Sequence, residues 1–405
     1  MLATWPRRPQ VETMADAEPK PKPQHRDRAD AIVAGTRLEL LETGTERLQT
    51  LLRLIDEAQS SIRLLFYMFS PDVSGEAVRD ALVRAIARGV EVKLVIDGFG
   101  SAVAPSFFAP LEQAGGQFCL FHPSYGRRYL LRNHQKLVVI DEAIAITGGA
   151  NVDRFYFSDH GPQHWRDLWL LLEGPAARPA GRYFDAIYRW TTTKGAKIRS
   201  LRRIIHRHTQ RRGAIQWRYS GPMRRRNPWP TQIAKEIIGG KELHMIAAYF
   251  SPPFAMMRRI ARLGRRGTVR IITAAKSDNH ATIAAARHTY ARLLRSHVEM
   301  YEYQPAKLHT KLVIADDVVH LGSSNFDFRS LYLNLEVMVR IDDAKFAARM
   351  RRYFEQELAD SLQITTELHR KRASWLRRLK WTVSHWLVTA VDYTVTRQLS
   401  FGTER

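Results

Sequence analysis

Residues Asn133–Asp153 read NHQKLVVIDEAIAITGGANVD, and residues Leu308–Ser330 read LHTKLVIADDVVHLGSSNFDFRS. Both contain H-x-K-x-x-x-x-D: His134, Lys136 and Asp141 in the first, His309, Lys311 and Asp316 in the second. Each runs through apolar residues into a small-residue turn with an Asn, Gly148-Gly149-Ala150-Asn151 and Gly322-Ser323-Ser324-Asn325. Alternate side chains of an extended chain share a face, so His and Lys at i and i+2 project together. The apolar run predicts a buried strand and a return strand that bring the Asn back beside the His. Gly and Ser allow close backbone approach and offer N–H groups. Imidazole, ammonium and amide then form an anion-binding set that fits one tetrahedral phosphate. Asn151, Asn325 and Ser323 are the expected substrate-binding residues.

The flanking sequence repeats in the same order. SIRLLFYMF (Ser61 to Phe69) predicts a strand, a helix through EAVRDALVRAIARG ends at Gly89, and VEVKLVID (Val90 to Asp97) predicts another strand. ELHMIAAYFSPP (Glu242 to Pro253), a helix ending at Gly267, and TVRIITAA (Thr268 to Ala275) repeat that order. The offset from Gly89 to Gly267 is close to the offset from His134 to His309. Strand–helix–strand alternation predicts an α/β fold with parallel strands. An offset this long means a duplicated domain rather than a solenoid. The expectation is two duplicated α/β sandwich domains related by a pseudo-twofold axis, with a single shared active site. Expected boundaries are a disordered polar tail over 1–35, a first domain over 36–194 and a basic connector over 195–230. A second domain over 231–365 and a basic amphipathic segment over 366–405 complete the chain.

A site with two His, two Lys and two Asn can displace groups at phosphorus without a metal. One imidazole attacks and becomes phosphohistidine. The other protonates the leaving alkoxide and then deprotonates the incoming alcohol or water. Lys and Asn stabilise the charge on the non-bridging oxygens. A nucleophilic His needs a defined tautomer and therefore an orienting acceptor. Asp167 in HWRDLWLLLEG and Glu336 in LNLEVMV stand at similar distances downstream of the two motifs. Asp141 and Asp316 complete the motifs and are expected to hold local turns.

Composition narrows the partner. Of 405 residues, 63 are Lys or Arg and 40 are Asp or Glu, a net charge of +23. Fourteen Lys or Arg and no acid lie between Asp185 and Glu236, and six and none between Glu367 and Asp392. Such runs point to nucleic acid or an anionic lipid surface. No apolar run reaches the about 18 residues of a membrane-spanning helix. The N-terminus carries no secretory apolar core. The single cysteine, Cys119, cannot form an internal disulfide and reads as a buried strand thiol.

The two H-x-K-x-x-x-x-D segments, each followed by G-G/S-x-N, resemble the phospholipase D superfamily from about Arg37 to Leu362. FYMFSPDVSGEAVRDAL, GVEVKLVIDGFGS, AYFSPP and GSSNFDFRSLYLNLE are similar to bacterial cardiolipin synthases, in the short form without N-terminal transmembrane helices. The resemblance implies a phosphatidyltransferase that joins two phosphatidylglycerols into cardiolipin and releases glycerol, with no metal and no cofactor. It implies His134 as nucleophile and His309 as acid/base. Lys136, Lys311, Asn151 and Asn325 would bind phosphate, and Asp167 and Glu336 would orient the imidazoles.

The segment RKRASWLRRLKWTVSHWLVTAVDYTV places Leu376, Leu379, Val383, Trp386 and Leu387 on one helical face, away from Arg377 and Arg378. A basic helix of this kind suits a bilayer interface. Trp217 and Trp229 of the connector are expected at the same depth. The expected partner is therefore anionic phospholipid at the cytoplasmic face of the bacterial inner membrane, with nucleic acid disfavoured. A phospholipase D-type hydrolase and a metal-independent nuclease are the competing readings of the same site.

Overall fold

A computed structural model of the chain describes residues 30–101, 103–121 and 131–390. The expected disordered tail up to position 29, and the C-terminal segment from position 391 onward, lie outside the described residues.

The first half opens with β1 (Ala31–Val33) and β2 (Thr36–Leu41), followed by α1 (Gly44–Glu57), β3 (Ser61–Phe66) and α2 (Val73–Ala87). It continues through β4 (Glu91–Asp97), α3 (Ala109–Gln113), β5 (Gln117–Phe121), β6 (Leu137–Ile140) and β7 (Ile144–Gly148). β8 (Trp165–Arg166), β9 (Trp169–Glu173) and α4 (Ala177–Thr192) close it. Next come α5 (Ile198–His208), β10 (Ile215–Ser220), α6 (Pro228–Gly239), β11 (Glu242–Ala247), β12 (Phe250–Ser251) and α7 (Phe254–Gly264). β13 (Thr268–Ala274), α8 (His280–Leu294), β14 (Glu299–Tyr303), β15 (Lys307–Leu308), β16 (Lys311–Ala315) and β17 (Val318–Gly322) follow. The chain then forms β18 (Phe326–Asp327), α9 (Phe328–Tyr332), β19 (Glu336–Asp342), α10 (Ala344–Ala359), β20 (Ser361–Gln363), α11 (Thr366–Arg372) and α12 (Trp375–Ala390).

Two eight-stranded sheets result, ordered β1-β2-β9-β7-β6-β3-β4-β5 and β10-β19-β17-β16-β11-β13-β14-β20. From the second strand of one and the first of the other, the orders match through β5 and β14. Parallel pairing within them is confined to β3-β4-β5 and β11-β13-β14. The remaining strands are antiparallel, so the sheets are mixed rather than parallel. The cause is local: the two-strand excursion through each H-x-K motif turns back as a hairpin, β6 with β7 and β16 with β17.

Each sheet is covered on both faces, as its continuous apolar strands require. One core joins the halves: α4 and α10 bury Tyr183, Phe184, Met350 and Phe354 against Leu65 and Leu137 of one sheet and Leu312 of the other. Outside the first sheet, α1 and α2 supply Leu51, Val78 and Leu82. Outside the second, α6, α7 and α8 supply Trp229, Ile260 and Tyr290.

Several expectations change. Folded chain begins before Thr36, because Ala31–Val33 pairs with β2 and the Asp30 carboxylate accepts Leu40 N–H at 2.8 Å. The basic stretch is not a free connector: its β10 is the edge strand beside β19, in the place β2 takes beside β9. Trp217 and Trp229 do not reach an interface. Both are fully buried, and their indole N–H groups donate to the Ala176 carbonyl (2.7 Å) and Ser324 Oγ (3.0 Å). Gly89 takes a left-handed φ of 89° after α2, but the repeat-equivalent Gly267 does not. Gly267 instead lies so close to the Lys241 carbonyl that a Cβ would sit 2.0 Å from it. Cys119 lies in β5 half-buried, and burial pushes its thiol up to about 12.

Candidate active site

Each motif histidine stands just before the hairpin that follows it, and the opposite half fixes its main chain. His134 N–H donates to the Leu335 carbonyl (3.0 Å), and Leu335 N–H to the Arg132 carbonyl (2.8 Å). His309 N–H donates to the Arg166 carbonyl (2.8 Å), where β15 runs parallel to β8. The next residue after Leu335 is Glu336, and the next after Arg166 is Asp167. Main-chain pairing therefore delivers a carboxylate of one half to the imidazole of the other. His134 Nδ1 lies 3.0 Å from Glu336 Oε2, and His309 Nδ1 lies 2.6 Å from Asp167 Oδ2. With Nδ1 held by a carboxylate, Nε2 is the free ring nitrogen of each.

One cleft is lined by both histidines together with Tyr67, Asn151, Tyr156, Trp165 and Tyr249. A slot beside it is lined by His134, Arg132, Asn325, Arg329 and Val388. The Lys136 and Lys311 ammoniums are buried and turn back onto the carbonyls of His134 (2.7 Å) and His309. Asn151 Oδ1 accepts Met68 N–H at 3.1 Å. Asn325 is buried with its Oδ1 unpartnered among the described residues, and it lines the slot.

The charge states follow from burial. Desolvation, with Lys136 and Lys311 nearby, holds His134 well below its ordinary range, and burial beside Lys311 brings His309 down to about 3. Both imidazoles are neutral at pH 7. Burial also lowers Lys136 to about 7 and Lys311 to about 8, against the attraction of Glu336 and Asp167. The two carboxylates diverge. Burial drives Glu336 up to about 8 despite Lys136. Asp167 resists the same burial because His309 and Lys311 hold it below its ordinary range.

The motif aspartates sit at the far end of the hairpins. Asp141 accepts N–H groups of Gln59, Ser60 and Ser61 at 2.8 to 2.9 Å, and Asp316 those of Lys241 and Glu242. Both take left-handed φ angles, 51° and 49°. Each pins the loop before the first strand of its own parallel set.

Ser323, expected to bind substrate, has its hydroxyl engaged within the protein. Its hydroxyl donates to Glu336 Oε2 at 2.5 Å and accepts Val337 N–H at 3.0 Å, behind the His134 ring. The equivalent residue is Gly149, where a Cβ would lie 2.4 Å from Asp167 Oδ1. The first half thus gives up a side chain to admit the shorter carboxylate, and the second adds a hydroxyl to hold the longer one.

Aromatic walls escaped the sequence reading. Tyr67 packs on His134 with ring centres 4.8 Å apart. Tyr156, Trp165 and Tyr249 surround His309 at 5.1, 5.3 and 6.4 Å. The signal for the two tyrosines nearest the sheets was the aromatic run closing each first strand, FYMF and AYF. Asp97 was also missed: it accepts Asn133 N–H at 2.7 Å beside the motif, and burial raises it to about 6.

The profile of the family described as cardiolipin synthase, PLD-like domain matches residues 51–188 and 234–358, one match in each half. The chain belongs to this family. Cardiolipin synthase A of Pectobacterium carotovorum is 30% identical over 85% of the chain and 74% of that protein. Cardiolipin synthase A of Salmonella arizonae is 31% identical over 86% and 74%. Among solved structures, phosphatidylserine synthase of Haemophilus influenzae superposes with a TM-score of 0.66 at 14% identity, over 90% of this chain and 94% of that one. Polyphosphate kinase of Porphyromonas gingivalis gives 0.53 at 14%, over 83% and 49%. At such identities these two neighbours bear on the fold alone, the duplicated phospholipase D-like α/β architecture.

Proposed function

We propose that the chain is a phosphatidyltransferase that joins two phosphatidylglycerols into cardiolipin and releases glycerol. One observation carries the reading: His134 and His309, from different halves, line one cleft with each Nδ1 held by the other half's carboxylate. In the first step His134 Nε2 attacks phosphorus and a P–N bond forms. The P–O bond to the departing glycerol breaks as His309 Nε2, which takes up a proton from solvent when the anionic phosphodiester binds, passes that proton to the leaving oxygen. In the second step His309 takes the proton of an incoming hydroxyl. That oxygen attacks phosphorus, the P–N bond breaks and His134 is restored. Lys136, Lys311, Asn151 and Asn325 would neutralise the non-bridging oxygens in both transition states.

Membrane access is part of the proposal. Among the described residues no helix is long and apolar enough to cross a bilayer. α12 instead lies on α8 through Trp381, Ser384 and Val388, and its other face is open. Trp375 is 73% exposed, Leu376 60%, Leu379 56%, Val383 46% and Trp386 59%. Such a face suits a peripheral helix in the headgroup plane.

The test is purified full-length chain with phosphatidylglycerol vesicles and a chelator. Cardiolipin and glycerol in equal amounts are expected, and none with His134→Ala. Phosphatidic acid as the sole product would make the chain a hydrolase. DNA cleavage without lipid turnover would overturn the lipid reading.

A further inference from the structure

Three neighbouring helices outside the second sheet lack carboxylates. α7 packs on α8 and α8 on α12, and none of the three contains Asp or Glu. Between Glu242 and Glu299, Asp278 is the one acid against ten Lys or Arg. Arg258, Arg262, Arg265, Arg292 and Arg295 are exposed, and no carboxylate among the described residues lies within ion-pair reach of any of them. Balanced charge over most of the chain conceals this concentration, because the acids lie elsewhere.

Two grooves border the C-terminal half of α8. One, against α7, is lined by Met257, Arg265, His288, Thr289, Arg292 and Arg295. The other, against α11 and α12, is lined by His288, Arg295, His369, Arg370, Arg378 and Trp381. His288 and Arg295 form the wall between them. The first groove thus offers guanidinium groups beside Met257, and the second offers them beside Leu294 and Trp381, the chemistry of a phosphodiester with a hydrocarbon tail. The apolar residues Trp375, Leu376, Leu379, Val383 and Trp386 continue the same surface along α12. Exposed Phe254, with the Arg292 guanidinium 4.5 Å from its ring centre, extends it along α7.

We propose that this α7–α8–α12 face docks on an anionic bilayer, with the two grooves holding lipid phosphodiester head groups that do not react. The proposal deepens the phosphatidyltransferase reading and rests on it for the bilayer as partner. It assigns the headgroup contacts to α7 and α8 of the second half rather than to the basic stretch around β10. Arg292 and Arg295 lie toward the end of α8 away from the catalytic centre: Arg295 stands 13 positions after Thr282, about 20 Å along the helix, and Thr282 lines the slot beside His134. α12 runs back along α8, from Trp381 beside the second groove to Val388 in that slot. A docked face therefore leads from bound head groups to the slot mouth. Nucleic acid would satisfy the arginines but would leave the exposed leucines and tryptophans in water, so the bilayer is favoured.

The experiment compares the full chain with Arg265→Ser, Arg292→Ser and Arg295→Ser combined, and separately with Leu379→Ser. Flotation uses phosphatidylcholine vesicles with and without phosphatidylglycerol. Turnover of a short-chain, monomerically dissolved phosphatidylglycerol reports on fold and catalytic centre. The wild type should float only with the anionic vesicles. The triple variant should bind them roughly a hundredfold more weakly, as expected for three surface charges, with monomer turnover unchanged. Leu379→Ser should weaken flotation in the same way. Unchanged flotation of the triple variant would overturn the proposal, as would DNA binding that it loses while vesicle binding persists. A wild type that floats but turns over no lipid would sink the transferase reading and leave the docking face standing.

Discussion

His309 of the second half donates through Nδ1 to Asp167 of the first, at 2.6 Å, although the two stand far apart in the chain. His134 makes the reciprocal contact with Glu336 at 3.0 Å. Neither motif histidine draws its carboxylate from its own half. Both histidine–carboxylate contacts therefore form only where the two halves meet, beside the core that they share.

The two carboxylates should respond differently to neutralisation. Asp167 is held ionised, whereas burial brings Glu336 up to about 8 and leaves it substantially protonated at pH 7. Asp167→Asn removes a real charge and disturbs the tautomer of His309, which should cost on the order of 10³–10⁴ in kcat. Glu336→Gln should cost markedly less. Steady-state kinetics at pH 7 decide, and equal losses would contradict the asymmetry.

The nucleophile can be identified by trapping. Rapid acid-free denaturation of the wild type during turnover, followed by peptide mass spectrometry, should find a phosphatidyl group on His134. His134→Ala should carry none, and each single His→Ala variant should lose at least about a thousandfold in kcat. A label on His309 would exchange the two roles.

Activity and stability should move in opposite directions above neutral pH. Burial places Lys136 near 7 and Lys311 near 8 in the folded chain, against an ordinary value of 10.5. Below these values both ammoniums attract phosphate. Above them the charge is lost, so kcat/KM should fall as pH rises through 7 to 8. Between the folded value and 10.5 the unfolded chain holds more protons, so these lysines add stability as pH rises through that window. A pH–rate profile and denaturant titrations at pH 7 and 9 test both signs.

Gly149 and Ser323 should not be exchangeable. Gly149→Ala places a Cβ 2.4 Å from Asp167 Oδ1. It should push the carboxylate off His309 and abolish turnover, while costing about 1–3 kcal/mol of stability. Ser323→Gly removes one hydrogen bond from Glu336 and should reduce kcat by a smaller factor. Thermal melts and kcat of the two variants provide the comparison.

Trp217→Ala should destabilise the fold by about 3–5 kcal/mol, because it empties a fully buried site. Trp386→Ala, 59% exposed, should leave stability within about 0.5 kcal/mol. Urea unfolding separates the two.

Much of this was legible because it is local. The hairpins after His134 and His309 follow from short apolar runs closed by small residues, and α2 and α7 from the repeated strand–helix–strand order. Ile215–Ser220 was not recognisable as a strand in a basic stretch, since its partner, Glu336–Asp342, lies in a distant part of the chain. Charge suggested a free connector there, whereas pairing and the burial of Trp217 and Tyr219 prevailed. Ser323 was read by its place in the turn, which carries no information about the Glu336 carboxylate behind it.

From residue order came the duplication, both H-x-K motifs and Asp167 and Glu336 as the candidate acceptors, because strand period and repeat offset are properties of short segments. Which acceptor meets which imidazole, and that tyrosines and a tryptophan wall the rings, came from assembly. Those contacts depend on main-chain bonds between halves, His134 to Leu335 and His309 to Arg166, and no local periodicity encodes a bond formed only when the two sheets meet.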